Sequence, residues 1–124
     1  MAQIKYNLGD LGTEVYSTNE TVIGTWINGK PIYRKVIDFG ALPNKTIKSV
    51  AHNITNLDTI TKLYGVANRD SDKTYLPLPS ANSSSIANNL YLYIFGNNVN
   101  VDTGSNATSL NRAYIIIEYT KTTD

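Results

Sequence analysis

Side chains that could act as a nucleophile, a base or a metal ligand are sparse in this sequence. Its 124 residues include no Cys and one His, His52, so thiolate chemistry and a His-based metal cluster are excluded. A Ser–His–Asp triad would have to use His52. A lone His inside a strand-like segment such as SVAHNI is more often a hydrogen-bonded structural residue, and we expect that role for His52.

Carboxylates offer a second route to catalysis, because glycoside hydrolysis uses two of them on either side of one bond. The candidates are Asp38, Asp58, Asp70, Asp72, Asp102 and Glu118. Their spacing singles out no pair. Asp70 and Asp72 in NRDSDKT partly match a calcium-binding loop, but the Gly and the distal Glu of that motif are missing. We therefore expect a solvated turn there, no cofactor or metal, and a protein that is not an enzyme.

Charge and hydropathy argue against nucleic-acid and membrane partners. Eleven basic and ten acidic residues give a net charge of +1, and they are scattered along the chain rather than clustered as a phosphate-binding face requires. Gly96 and Gly104 each stand alone, without a phosphate-binding Gly pattern. No apolar run approaches the roughly 18 residues of a membrane span, and the N-terminus does not resemble a signal peptide. We expect synthesis in the cytoplasm and no membrane insertion.

The elements that would position any site are β-strands. From Thr21 onward, short runs rich in β-branched and aromatic residues alternate with turn residues, as in a sandwich or barrel. The predicted strands are Thr21–Ile27, Ile32–Phe39, Lys45–Ile54, Thr59–Asn68, Lys73–Leu78, Asn89–Phe95, Asn98–Asp102 and Arg112–Thr120. Only Asn56–Tyr64 competes as a short helix. The sequence predicts an all-β, single-domain antiparallel β-sandwich, jelly-roll-like, over residues 16–124.

The first fifteen residues have a different pattern. Ile4, Leu8, Leu11 and Val15 follow the spacing of a coiled coil. Gly9 and Gly12 fall within the same window and disfavour a continuous helix. We interpret residues 1–15 as an irregular lead-in or linker segment.

The hairpin-like stretch ETVIGTWINGKPIYRKVIDFG is apolar on both faces. A four-residue loop, Asn28–Pro31, would place Trp26 opposite Tyr33 and Val22 opposite Ile37 on one face. The other face would then hold Ile23, Ile27, Ile32 and Val36. A two-residue loop would give a different register. Because two-sided strands recur in LYLYIF and RAYIIIEYT, we expect another subunit to cover one face, with Trp26, Tyr33, Val22 and Ile37 at the interface. The alternative is a half-exposed face on which Tyr stays hydrated.

Two long polar segments, PSANSSSIANN and DTGSNATSLN, are predicted to be loops. Long loops on a rigid scaffold commonly carry function. Within and beside them, Asp102, Asn106 and Arg112 could hydrogen-bond hydroxyl groups, and Tyr91 or Tyr93 could stack on a sugar ring. These five residues are our predicted ligand contacts. The alternative is that the loops are merely solvated connections.

Four segments resemble the C-terminal head domain of bacteriophage tail-fibre and receptor-binding proteins. They are VIGTWINGKPIYRKVIDFGALPN, KSVAHNITNLD, YLPLP and IIIEYTKTTD. The hairpin and the YTKTTD terminus are the specific parts, while the region from Ser80 to Asn111 matches only in length and character. The resemblance does not supply a set of ligand residues that could be carried over.

The resemblance implies a β-sandwich head at the tip of a virion appendage, usually a homotrimer, that meets the host surface beside other tail proteins. A trimer would cover the second face of the hairpin. We therefore expect a non-enzymatic domain that recognises a bacterial surface receptor, either a glycan or a protein. A purely structural tail or fibre-tip trimerisation module is the alternative. An enzyme that trims surface polysaccharide comes third.

Overall fold

The computed structural model describes residues 15–124, and the lead-in prediction for residues 1–14 lies outside this range. The strands are β1 (Thr21–Thr25), β2 (Pro31–Asp38), β3 (Ile47–Ala51), β4 (Leu57–Arg69), β5 (Thr74–Leu78), β6 (Leu90–Phe95), β7 (Asn98–Thr103) and β8 (Arg112–Lys121). A short 3-10 turn spans Ile86–Asn88. All eight predicted strands are confirmed. The competing helix at Asn56–Tyr64 is instead part of β4.

The strands form two antiparallel sheets of a β-sandwich. One sheet has the order β1-β2-β8-β4-β5 and the other the order β3-β7-β6. Pairing of β2 with β8 and of β3 with β7 nests early strands against late ones, as in a jelly roll. The hairpins β1–β2, β4–β5 and β6–β7 join strands that are neighbours in the sequence. The predicted all-β sandwich is therefore confirmed.

The core lies between the two sheets and follows the two-residue period of each strand. From β8 it receives Ala113, Ile115, Ile117 and Tyr119, which are fully buried. From the smaller sheet it receives Leu90 and Leu92 of β6 and Val99 and Val101 of β7. Burial of these apolar side chains is the main contribution that holds the sheets together.

His52 has the structural role expected from the sequence. It is buried, with 1% of its surface exposed. Its Nδ1 accepts a hydrogen bond from the Ile54 N–H, and its Nε2 lies 3.0 Å from the Gly96 carbonyl oxygen. Since Nδ1 acts as an acceptor, Nε2 carries the proton and donates to that carbonyl. The ring thus links the segment after β3 to the β6–β7 turn.

Strand β8 is buried on its second face as well. Ile116, Glu118 and Thr120 point away from the sandwich core, yet each is at most 9% exposed. Arg34 of β2 lies directly opposite Glu118. Its Nε and Nη2 both donate to Glu118 Oε2 at 2.9 Å, so a buried ion pair occupies the centre of the outer face.

Aromatic rings surround this ion pair. The Arg34 guanidinium lies 4.2 Å from the centre of the Tyr16 ring, a cation–π contact. Burial and a hydrogen bond with Tyr16 raise the pKa of Tyr64 to about 12. The second face of the central strand is therefore covered in part by residues of the same chain.

The predicted register of the first hairpin is wrong. Thr25 pairs with Pro31 and Val22 with Tyr33, with an irregularity between Val22 and Gly24. The Trp26 N–H donates to the Lys30 carbonyl, and Gly29 has φ +87°. A three-residue loop that ends in a left-handed Gly is a standard hairpin connection, and it shifts the pairing relative to the four-residue loop.

The four predicted interface residues are distributed between core and surface. Ile37 is buried in the chain's own core. Tyr33 stacks on Tyr119 with 5.8 Å between ring centres, and its hydroxyl donates to Asp124. Val22 is 54% exposed. Trp26 is half-buried at the hairpin loop and is not a core residue.

Breaking the buried ion pair should be costly. We expect Glu118→Leu to lower the free energy of unfolding by about 3–5 kcal/mol, because it leaves the Arg34 charge in a buried site without its carboxylate. Urea denaturation would measure the loss. As a control, Asp58→Ala removes the more exposed pair with Lys30 and should cost less than about 1 kcal/mol. Equal losses in the two variants would contradict this assignment.

Candidate functional site

A cleft of about 400 Å³ lies between the loop that follows β5 and the loop that follows β7. We name it the loop cleft. Its polar lining residues are Arg69, Ser80, Asn82, Asn88, Ser105, Asn106 and Ser109. Aliphatic side chains complete it, among them the buried Leu90, Ala107 and Leu110. The loop cleft therefore presents hydrogen-bonding groups next to an apolar surface, as small-molecule sites do.

The two loops are held together by direct contacts. Ser105 Oγ donates to Asn88 Oδ1 at 3.0 Å. Gly104 packs so closely on Ala87 that an added Cβ would lie 2.6 Å from the Ala87 carbonyl oxygen. Glycine is thus required at this approach, since a side chain would force the loops apart.

The loop after β5 is also fixed by its own amide side chains. Asn82 Oδ1 accepts from the backbone N–H of both Ser84 and Ser85, and the Asn82 N–H donates to Asn89 Oδ1. In these contacts, and in the one between Ser105 and Asn88, the side-chain carbonyl oxygens of the Asn residues are the acceptors. Within residues 15–124 no acceptor contacts the Nδ2 groups of Asn82 and Asn88, which leaves two donors for a ligand at the cleft.

Arg69, at the end of β4, forms one wall of the loop cleft. Its Nε donates to Asp72 Oδ1 at 3.0 Å, and its Nη1 donates to Ser109 Oγ at 3.2 Å. Its Nη2 donates to Thr74 Oγ1. The Arg69 hydrogen bond, followed by that of Thr74, lowers the pKa of Asp72. The guanidinium is therefore fixed in orientation before any ligand arrives.

The structure separates the five predicted ligand residues into three places. Asn106 lies in the loop cleft, where its Oδ1 accepts from the backbone and hydroxyl of Thr108. Asp102, Tyr91 and Tyr93 share the outer face of the smaller sheet, with Tyr91 directly opposite Asp102. Arg112 lies apart from them on the outer face of the larger sheet.

Arg112 belongs to a structural network around Asp70. Asp70 Oδ1 accepts from Arg112 Nη2 and Asn68 Nδ2, and Oδ2 accepts from Asn111 Nδ2. The Asn111 and Arg112 hydrogen bonds hold the pKa of Asp70 below its usual range. These contacts occupy the carboxylate that the sequence relates to a calcium loop. Among the residues that the structure describes, no group of three or more His, Cys, Asp or Glu could hold a metal ion.

The outer face of the smaller sheet is the second notable surface, which we name the aromatic face. It consists of Ile47, Ser49 and Ala51 of β3, Tyr91, Tyr93 and Phe95 of β6, and Asn98, Asn100 and Asp102 of β7. Tyr91 is 60% and Phe95 75% exposed. The Tyr91 and Tyr93 rings stack with 4.9 Å between their centres. Exposed, ordered aromatic rings on a rigid sheet are suited to stacking with a ligand.

A shallow depression connects the loop cleft with the aromatic face. It is lined by Pro79, Ser80, Ala81, Asn89, Leu90 and Tyr91. Ser80, Ala81 and Leu90 also line the loop cleft. The two surfaces therefore form one continuous region that ends on the Tyr91 ring.

Sequence reasoning missed several residues of this region. Arg69, Asn82 and Asn88 were indistinguishable from the other polar residues of an Asn-rich chain. The alternation in LYLYIF does place Phe95 on the same face as Tyr91 and Tyr93, but Phe95 was not among the predicted ligand contacts.

Comparisons with known proteins found no relative. No protein-family model, no curated protein and no solved structure matches this chain. In the part of the chain that the structure describes, no helix has the length and apolarity to cross a membrane. The function is therefore argued from the sequence and from the geometry of the loop cleft and the aromatic face.

The Asp70 network predicts a pH dependence of stability. Because the pKa of Asp70 is lower in the folded state, its contribution is present above the ordinary pKa of an Asp and is lost as the pH falls through the folded value. Asp70→Asn should therefore be less stable than the wild type at neutral pH, and the difference should shrink between about pH 5 and pH 1. Urea denaturation across this range measures it. A difference that stays constant with pH would contradict the prediction.

Proposed function

We propose that this chain is the head domain of a bacteriophage tail appendage that binds a glycan on the host cell surface. The loop cleft is the observation that carries the binding part of this proposal. Its amide, hydroxyl and guanidinium groups match sugar hydroxyls, which both donate and accept hydrogen bonds. Its aliphatic residues and the adjoining Tyr91 ring match the apolar C–H face of a sugar. The resemblance of the hairpin and of the C-terminal segment supports the assignment to a phage tail.

The tail assignment brings further proposed properties. The protein assembles as a homotrimer, contacts other tail proteins and resides at the tail tip of the virion after synthesis in the bacterial cytoplasm. Ile27 is 90% exposed and Val22 54% exposed near the half-buried Trp26. Exposed apolar residues grouped at one hairpin favour a protein–protein contact there.

The same hairpin favours the second candidate function. A module that only trimerises and closes the tip of a fibre would need the apolar hairpin and would not need a hydrogen-bonding cleft. The fixed amides of Asn82 and Asn88 favour the binding function, because ordered donors serve ligand recognition. The two candidates therefore differ in what blocking the loop cleft would do.

Blocking the loop cleft should abolish glycan binding. Ala81 is exposed and lines both the cleft and the neighbouring depression, so Ala81→Trp would fill the site without removing a described side-chain hydrogen bond. We expect the wild type to bind members of an array of bacterial surface glycans. We expect Ala81→Trp to weaken that binding by about tenfold or more, measured by calorimetry on the best array ligand.

Thr59→Trp is a matched control, because Thr59 is exposed near the other end of β4. It should bind as the wild type does. Unchanged binding by folded Ala81→Trp would place the ligand elsewhere. Failure of the wild type to bind any glycan would favour the structural module or a protein receptor, and release of shortened sugars would indicate an enzyme.

Oligomerisation through the hairpin should be visible in the mass of the protein. We expect light scattering to give about three times 13.7 kDa. Ile27→Asp should reduce this mass, because burying an unpaired carboxylate in an interface is costly. Tyr75→Asp, which changes an exposed residue of β5, is the control and should leave the mass unchanged. A monomeric wild type at micromolar concentration would contradict the proposed trimer.

A further inference from the structure

The aromatic face has a repeating arrangement. Its three rings, Tyr91, Tyr93 and Phe95, occupy alternate positions of β6 and therefore point to the same side. Each ring lies directly opposite a polar residue of β7, with the pairs Tyr91 and Asp102, Tyr93 and Asn100, and Phe95 and Asn98. An aromatic ring and a polar residue thus recur three times along the strand. Asn100 is only 4% exposed, so Asp102 and Asn98 are the polar residues of this row that a ligand can reach.

This repeat matches the chemistry of a linear sugar chain. Every ring of such a chain offers an apolar face for stacking and hydroxyl groups at its edge for hydrogen bonding. Successive rings on a strand lie about 7 Å apart at their Cα atoms, since a strand rises about 3.4 Å per residue. The Tyr91 and Tyr93 rings lie closer than this and stack on each other, with 4.9 Å between their centres, so together they form one apolar contact.

The position of the aromatic face relative to the loop cleft sets the direction in which a bound sugar chain would run. The depression between them is lined by Ser80 and Ala81 and ends at Tyr91. Tyr91 is also the first ring of the row. A glycan whose terminal sugars occupy the loop cleft would therefore continue over Tyr91 toward Tyr93 and Phe95.

Charge on the aromatic face restricts the kind of glycan. Asp102 is the charged residue among the nine that form the face. A carboxylate beside the stacking row repels uronic and sialic acids and accepts hydrogen bonds from neutral sugars. A neutral chain is therefore favoured over an acidic one.

A second copy of the protein fits this face less well. The middle column of the face is polar, and Ser49 Oγ already donates to Asn100 Oδ1. Burying the Asp102 carboxylate and the Asn98 amide against another protein surface costs free energy unless each finds a partner. Sugar hydroxyls supply such partners at both positions.

We propose that the aromatic face extends the loop cleft into a single site for a neutral, linear polysaccharide, with the Tyr91–Tyr93 stack and the Phe95 ring contacting successive parts of the sugar chain. This inference rests on the proposed glycan-binding function. It adds the length, the charge and the path of the ligand. Phe95 and Asn98 thereby become ligand contacts.

The test measures affinity against chain length. The probes are neutral glucan and mannan oligosaccharides from disaccharide to octasaccharide, and uronic acid oligosaccharides of the same lengths, titrated into the full-length protein by calorimetry. We expect affinity for the neutral series to rise by about tenfold or more from the shortest to the longest probe. The uronic acid series should bind more weakly at each length.

A double variant, Tyr93→Ala with Phe95→Ala, should remove the gain in affinity with length. Tyr75→Ala is the control and should keep that gain, because Tyr75 is an exposed aromatic residue on the other sheet. Both variants should remain folded, since none of the three rings belongs to the core.

Each of the other possible results would contradict one part of the proposal. Disaccharide binding that Ala81→Trp blocks, with no gain in affinity with length, would overturn the extended site and leave the proposed function intact. Absence of binding to every probe would overturn both. A reduced molecular mass for the double variant would identify the aromatic face as a contact between copies of the chain, and a preference for uronic acids would overturn the charge argument.

Discussion

The position of β8 between β2 and β4 is the constraint on which the larger sheet depends. One face of β8 supplies Ile115, Ile117 and Tyr119 to the core, and the other face holds the Arg34–Glu118 pair. A strand buried on both faces reads as a nearly continuous apolar run, and IIIEY is such a run. Without β8 the larger sheet would separate into two unconnected hairpins, β1–β2 and β4–β5.

The two ends of the sandwich use polar residues differently. At the end where β8 finishes, charges close the structure through the ion pairs of Lys121 with Glu20 and of Lys30 with Asp58. At the end where β8 begins, the ion pairs Arg69–Asp72 and Arg112–Asp70 are accompanied by amides and hydroxyls that hold two loops around a cleft. Neutral hydrogen-bonding groups cost less to desolvate than charges do, so the amide and hydroxyl part of this end is suited to exchange water for a ligand.

The strands could be predicted because their pattern is local. Alternation of large apolar and polar residues located β6 and β7 almost to the residue, and it also placed Tyr91 and Tyr93 on a common face. The register of the first hairpin failed, because the left-handed conformation of Gly29 and the irregularity after Val22 are decided by how the whole sheet packs. Local sequence does not contain that information.

The candidate site was predicted only in part, for a physical reason. Arg69 and Arg112 have chemically identical side chains, and both adjoin polar loop segments in the sequence. Arg69 reaches the loop cleft, whereas Arg112 is paired with Asp70 on the other face of the sheet. The pairing of β4 with β8 decides between them. In the same way, Asn82 and Asn88 acquire a role only because Gly104 lets a distant loop approach Ala87.

The central position of β8 also affects how the chain reaches its folded state. Arg34 and Glu118 are 84 residues apart in sequence, and β2 and β4 both precede their shared neighbour during synthesis. Until β8 emerges from the ribosome, each of these strands has one unpaired edge, which is a surface prone to aggregation. Pairing over such a separation closes a long loop, and contacts of this kind make folding slow. Assembly of the larger sheet therefore waits for the synthesis of β8.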